Sequence, residues 1–482
     1  MSGTAPTPPV PPSAETLARL REAAGPGGWT DDPADMARHL VAFRDGWQGR
    51  AALVLRPRDT ASVAALVRIC AETRTAIVPQ GGNTGLTGGG QPHDHGAEVV
   101  ISTERLTRIR AVDPANDAIT VEAGVTAAQV QAAAEAAGRL FPLSWAAEGS
   151  AQIGGALSTN AGGVQVLRYG TARALTLGLE VVTPLGELWD GLRGLRKDNA
   201  GYDLKQLYIG AEGTLGLITA AVLRLVPRPT DGAVALAAVP DPQAGIDLLG
   251  RLKAALGESL SAFELMHANC FRFAETSLGL RDPMPGAGWR ALVKAEAAAP
   301  AGTMRAALEA ALAAALEAGE ATDAVLPASE AQAAALWRIR EDQAEVQRRI
   351  GAGIKHDVSV PVSAIPAFVA AADAALAARW PDHRPFTFGH AGDGNLHYNP
   401  VRPEAMTDAA WKALTAEINV LVHDLALGMG GSITAEHGVG RLRRAEMVRA
   451  RSPIELALMR RVKAALDPDG IMNPGKLLPD AP

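Results

Sequence analysis

Only two cysteines, Cys70 and Cys270, occur in 482 residues. That excludes a disulfide framework and suits a reducing compartment, so a cytoplasmic location is expected. No apolar run approaches the ~20 residues that cross a bilayer, and a membrane-spanning chain is not expected. Basic residues do not dominate: 46 Lys and Arg stand against 52 Asp and Glu, a net charge of −6. A nucleic-acid partner, which needs a basic face, is therefore not expected. The N-terminus, MSGTAPTPPVPPS, has neither the charged nor the apolar region of a secretory signal and reads as a disordered Pro-rich tail. No G-x-G-x-x-G follows a strand and opens a helix, which argues against an NAD-type dinucleotide fold.

What is present is glycine in clusters. From Arg44 to Leu140 short strands alternate with helices: a strand at 52–56, a helix at 60–73, strands at 76–79 and 98–102. Between the last two strands lies QGGNTGLTGGG, residues 80–90. Successive backbone N–H groups in such a loop form a nest for a pyrophosphate, although a flexible surface loop is an equal reading of this stretch alone. Two more glycine-rich segments follow, SAQIGGALSTNAGG at 150–163 and IGAEGTLGLIT at 209–219. Three such loops fit a long polyanionic cofactor laid across one face. A Pro-rich joint, VPRPTDG at 226–232, marks a domain boundary. Beyond it, strands and helices without a repeating parallel unit indicate an α+β second domain. A helix over 329–350 is expected to open with a capping box of Ser329 and Gln332.

Two further stretches carry chemistry. GHAGDGNLHYNP, residues 389–400, places an Asp-Gly turn between extended segments, which can bring His390 and His397 face to face. Two polar histidines flanking an exposed loop is the plainer reading of that pair. GGSITAEHGVG, residues 430–440, adds Glu436 and His437. Two histidines and a carboxylate leave a coordination position open, as catalytic zinc sites do, and the same trio can hold non-haem iron. Neighbouring side chains on one loop point apart, so Glu436 is assigned to the metal and His437 to proton transfer. A metal-dependent hydrolase with incidental glycine loops is the competing enzyme class.

The motifs PQGGNTG (79–85), TNAGG (159–163), LRKDNAGYDLKQLYIGAEGTLG (195–216), GHAGDGNLH (389–397) and AEHGVG (435–440), in that order, carry a specific resemblance. The chain resembles the FAD-dependent D-2-hydroxyacid dehydrogenases of the vanillyl-alcohol-oxidase/PCMH type, with the D-2-hydroxyglutarate dehydrogenase branch nearest. The resemblance implies an α+β architecture: a tail and helical segment at 1–43, a PCMH-type FAD domain at 44–227, a substrate and metal cap with an antiparallel sheet at 228–440, and a C-terminal helical segment, 441–482, packing on the FAD domain. It places Pro79, Gly81, Gly82, Asn83, Thr84, Gly85, Ser150, Gly154, Thr159, Asn160, Gly162, Glu212, Ile218 and Asn473 around FAD. With no histidine in the first glycine loop, the FAD is expected to be noncovalent.

The resemblance also makes His390, His397 and Glu436 zinc ligands and His437 the proton acceptor. The resemblance implies that zinc would lower the pKa of the substrate's 2-hydroxyl, that His437 would take its proton, and that FAD would accept the hydride from C2. Arg340, Lys355 and Asn399 align with substrate-binding positions. One departure stands out: four residues after Arg340, on the same helix face, the hydroxyglutarate enzymes carry a threonine that contacts substrate, and here the position is Ala344. That leaves D-2-hydroxyglutarate as the expected substrate, with D-lactate, D-malate or glycolate as alternatives. An external electron acceptor such as an electron-transfer flavoprotein or a quinone is implied. A homodimer is expected as the commonest soluble assembly. His356 and His423 have no motif support and read as structural.

Overall fold

The computed structural model describes residues 10–42, 46–351 and 353–480. Most of the Pro-rich tail and the Arg44 boundary lie outside these residues. The chain divides into two units. One takes the described residues up to Gly162, Thr171–Arg228 and Glu436 onward; the other takes Gly163–Gly170 and Pro229–Ala435.

In the first unit Leu53–Leu55, Glu98–Ser102 and Ala76–Gln80 run parallel, with Trp29–Thr30 added antiparallel at one edge. The helix Thr60–Thr73 connects two of them, and Asp59 caps it by accepting the Ser62 N–H at 2.8 Å. Its apolar stripe of Val63, Leu66, Val67 and Cys70 is buried in the core with Ile77 and Val99. A second sheet is five-stranded and antiparallel, in the order Ile109–Asp113, Ala118–Glu122, Leu217–Arg224, Thr176–Val182, Leu188–Gly191. Glu180 ties helix to sheet by accepting from Thr60 Oγ1 at 2.7 Å, Thr219 Oγ1 at 2.8 Å and Arg110 Nη1 at 2.9 Å. The C-terminal stretch belongs to this unit. Met472 pairs in parallel with Ile77, and Lys463 Nζ donates to the carbonyls of Thr214 at 2.6 Å and Met472 at 2.8 Å.

The second unit is a seven-stranded antiparallel sheet, ordered Asp323–Val325, Asp231–Val239, Trp289–Ala297, Leu260–His267, Thr387–Gly389, Asn395–Tyr398, Val358–Ser359. Both faces are covered. Phe263 and Leu265 join one core with the helices Pro242–Leu256, Thr303–Glu317 and Ile365–Arg379. Met266 joins the other, with Ala268–Leu278 and Glu330–Glu341. The stretch Val362–Arg379 is apolar and long enough to cross a membrane by length and composition. One face of it, with Phe368, Ala372 and Leu376, is buried in the unit's core.

Several segments differ from the sequence expectation. The helix expected over 329–350 is two helices, Glu330–Glu341 and Gln343–Ile350, broken at Asp342. Ser329 caps the first by accepting the Gln332 N–H at 3.3 Å, but Gln332 Oε1 takes the Ala328 N–H and not that of Ser329, so the capping box is half formed. Residues 163–170 fall with the second unit because Gln165 Nε2 and Tyr169 OH both donate to Glu296 Oε1, at 3.1 and 3.3 Å. Residues 436–440 fall with the first because Glu212 holds their backbone.

Candidate functional site

Asp393 and Gly394 turn the chain between Thr387–Gly389 and Asn395–Tyr398, and Phe388 pairs with His397 across the hairpin. His390 and His397 are both buried, with ring centroids 6.0 Å apart. The exposed-loop reading of this pair is thereby excluded. Each histidine has a buried carboxylate beside it that the sequence reading did not single out. His390 Nδ1 is hydrogen-bonded to Glu264, which is fully buried on the strand Leu260–His267. His397 Nδ1 lies 4.0 Å from Asp357, which also accepts from Asn395 Nδ2 at 2.9 Å and from the Ala435 N–H at 3.2 Å. Metal-binding histidines are commonly oriented by such carboxylates. A recognisable sign existed for Glu264: an acidic residue inside the apolar run LSAFELMH of a strand covered on both faces.

Arg340 completes this network. Its Nε donates to Glu264, its Nη2 lies 3.4 Å from His390 Nε2, and its guanidinium sits 4.8 Å above the Phe388 ring. Burial alone would raise the Glu264 carboxyl, but Arg340 and His390 outweigh it and hold the pKa at about 2. A carboxylate can only accept, so His390 Nδ1 carries the proton of this bond. The guanidinium fork of Arg340 is thus partly committed to Glu264 and His390.

The other expected substrate residues are placed unevenly. Asn399 is buried and its Oδ1 accepts the His356 N–H at 2.7 Å, so the side chain presents Nδ2 as a donor. Lys355 is half-buried and precedes the strand, which begins only at Val358. Ala344 is exposed and belongs to the helix after the break, so it does not share a helix face with Arg340. His356 and His423 pack edge to face at 5.4 Å in the core.

In the first unit the glycine loops meet. A Cβ on Gly82 would lie 2.0 Å from the Ser150 carbonyl oxygen, and one on Gly81 would lie 3.3 Å from the Gly155 nitrogen. Gln80 braces the base of the loop, its side chain donating to Gly90 O at 2.6 Å and to His39 O at 2.9 Å. Seven non-glycine residues adopt positive φ among those described, and four of them, Asn83, Asn160, Glu212 and Asn473, are expected at FAD. Such conformations cluster where backbone is held for function. These side chains also bond the protein itself: Asn83 Nδ2 donates to Arg38 O at 2.8 Å, and Asn160 Oδ1 accepts the Arg173 N–H at 2.9 Å. Thr159 Oγ1 turns back to Gly155 O at 3.2 Å, Ser150 and Gly85 are exposed, Gly154 lies in the short helix Ile153–Ser158, and Gly162 is buried. Pro79 closes the strand before the loop, Thr84 is half-buried within it, and Ile218 is buried in Leu217–Arg224. His437 Nε2 lies 3.7 Å from Glu436 Oε1, so these neighbouring side chains do not point apart as the sequence reading expected.

Residues 228–477 match the family of FAD linked oxidases, C-terminal domain, and residues 51–191 match the FAD binding domain family. The chain is 38% identical over 454 residues to a D-2-hydroxyglutarate dehydrogenase of Xanthomonas citri, covering 94% of each. It belongs to the D-2-hydroxyglutarate dehydrogenase family of FAD-linked oxidases. A Bos taurus relative, named as the mitochondrial D-2-hydroxyglutarate dehydrogenase, is 37% identical over 97% of this chain and 84% of its own. Among solved structures, p-cresol methylhydroxylase superposes with a TM-score of 0.74 at 13% identity, covering 97% of this chain and 96% of that one. Alkyldihydroxyacetonephosphate synthase does so with a TM-score of 0.70 at 16% identity, covering 97% and 86%. Both likenesses concern the fold.

This member of the D-2-hydroxyglutarate dehydrogenase family is a flavin-dependent oxidoreductase, which removes the hydrolase reading. The residues fit FAD: the glycine loop leaves backbone uncovered by side chains, and Asn473 Oδ1 is buried with no hydrogen-bond partner among the described residues. Gly82→Ala should therefore abolish most flavin binding, because a methyl group driven into the Ser150 carbonyl displaces the loop. The ratio of flavin to protein absorbance in the purified variant measures this. Full flavin retention would show that the loop does not shape the cofactor site.

Proposed function

We propose that the chain oxidises D-2-hydroxyglutarate to 2-oxoglutarate, using FAD as immediate oxidant and a zinc ion held by His390, His397 and Glu436, with electrons passing to an electron-transfer flavoprotein or a quinone. The observation that carries this reading is the 38% identity along 94% of both chains to a D-2-hydroxyglutarate dehydrogenase. Bound FAD supplies the two-electron acceptor for the hydride leaving C2, and bound zinc supplies the Lewis acidity that makes the 2-hydroxyl proton easier to remove.

The chain's own residues do the rest. His437 accepts the 2-hydroxyl proton, so that loss of a proton and a hydride together leaves the 2-oxo group. Arg340 offers its remaining N–H groups to a substrate carboxylate, and Phe388 stacked beneath it fixes the plane of the fork. Lys355 adds a second positive charge, as a dicarboxylate requires. Asn399 Nδ2 donates to the substrate, its orientation set by the bond from the His356 N–H to Oδ1. Glu264 orients the His390 ring through Nδ1 and holds Arg340 in place.

A second reading keeps this chemistry and changes the acid to D-lactate, D-malate or glycolate. The departure from the family pattern at Ala344 raised it, but Ala344 is exposed and off the face that carries Arg340, so it does not favour one acid over another. Anaerobic bleaching of the flavin by a panel of D- and L-2-hydroxyacids, before and after chelator treatment, separates the two. Fastest bleaching by D-2-hydroxyglutarate, lost on chelation, is expected. Faster bleaching by D-lactate or D-malate would move the substrate, and bleaching that survived complete metal removal would remove zinc from the mechanism.

A further inference from the structure

Glu212 is among the residues expected at the cofactor, yet its side chain is committed elsewhere. Oε1 accepts the Val439 N–H and Oε2 the Gly440 N–H, each at 2.7 Å. These consecutive amides come two and three residues after His437. Gly438 and Gly440, with φ of 80° and 52°, flank Val439 and turn both N–H groups toward one anion, which makes a nest. The fit is close: a Cβ on Gly438 would lie 2.9 Å from Glu212 Oε1. The other side of the loop is held by Thr87, whose Oγ1 donates to His437 O at 3.2 Å and whose carbonyl accepts the Arg441 and Leu442 N–H groups at 2.9 and 3.1 Å. Asn473 Nδ2 donates to Glu212 O at 2.7 Å and Gly89 O at 2.9 Å, locking Glu212 at a φ of 52°, which non-glycine residues ordinarily avoid.

We propose that Glu212 is a positioning residue for His437. Its carboxylate, clamped by the amides of Val439 and Gly440, sets the backbone from which the imidazole projects, and it gives no side-chain oxygen to the cofactor. The inference rests on the reading of His437 as proton acceptor. A buried carboxylate satisfies two facing donors at once; an amide cannot, because its NH2 group would oppose one of the backbone N–H groups.

The test uses the FAD-loaded full chain and three variants: Glu212→Gln, His437→Asn and the double variant. In Glu212→Gln, flavin content and KM should stay within about twofold of the parent while the rate of flavin reduction falls about 10–100-fold. Added to His437→Asn, the same change should cost less than about twofold more, since residues acting through one group are not additive. Should Glu212→Gln fail to fold, Thr87→Val deletes only the hydroxyl bond to His437 O and should show the same suppression in the His437→Asn background. Loss of FAD with an intact rate at saturating FAD would overturn the proposal and make Glu212 a cofactor ligand. Losses that multiplied in the double variant would also overturn it. A His437→Asn single variant of unchanged rate would instead sink the reading of His437 itself, and the proposal with it.

Discussion

With His437 as the proposed proton acceptor, His437→Asn should slow flavin reduction by about 10²–10⁴-fold, the usual contribution of a positioned general base, with FAD content and melting temperature close to the parent's. The reason is geometric. The loop that carries His437 is held from both sides, by Thr87 at the His437 carbonyl and by Glu212 at Val439 and Gly440. An asparagine fits that backbone and keeps a polar side chain, so what is lost is the capacity to take a proton. Stopped-flow reduction at saturating substrate measures the effect directly. A variant within about threefold of the parent would mean that another group accepts the proton, since a threefold loss is well below the range for a general base.

Glu264→Ala should be the most damaging change in the second unit. Breaking a buried ion pair by removing one partner costs about 3–5 kcal/mol, because the remaining charge stays buried without a counter-charge. Here two groups lose their partner at once, Arg340 and His390. Denaturant unfolding should show the loss of stability. With His390 as a ligand of the proposed zinc, metal affinity should also fall about 10–100-fold, the usual cost of removing a carboxylate that orients a ligating histidine. Metal content after dialysis against a graded chelator reads that second effect separately from folding. Glu264→Gln keeps the shape and an acceptor oxygen but not the charge, and should fall between the parent and Glu264→Ala. Parent-like stability and metal retention in Glu264→Ala would show that the network contributes to neither.

Local signals marked many elements in the sequence with accurate limits. The helix Thr60–Thr73 begins and ends where the sequence reading put it, and Pro242–Leu256 and Pro453–Leu466 carry the same kind of local signal. Each is preceded by a capping residue, Asp59, Asp241 or Ser452, whose side chain accepts a backbone N–H within the first turn. The hairpin that sets His390 against His397 was legible for the same reason, as the Asp-Gly turn acts over only a few residues.

The break at Asp342 was not legible, because nothing in residues 329–350 opposes a continuous helix. Its consequence reached the site: Ala344 leaves the face that carries Arg340. The carboxylate partners were hidden for a different reason. Glu264 stands 126 residues from His390 and 76 from Arg340 along the chain, so no window of sequence contains the pair. Glu212 and Val439 are 227 residues apart.

Sequence alone therefore determined which residue types are available for chemistry, the helices and turns that present them, and the family to which the chain belongs. Only tertiary structure decided which charges neutralise one another and which backbone a carboxylate supports. Periodicity and capping act between residues a turn or two apart, whereas a buried charge finds its partner only when distant strands are packed into one core.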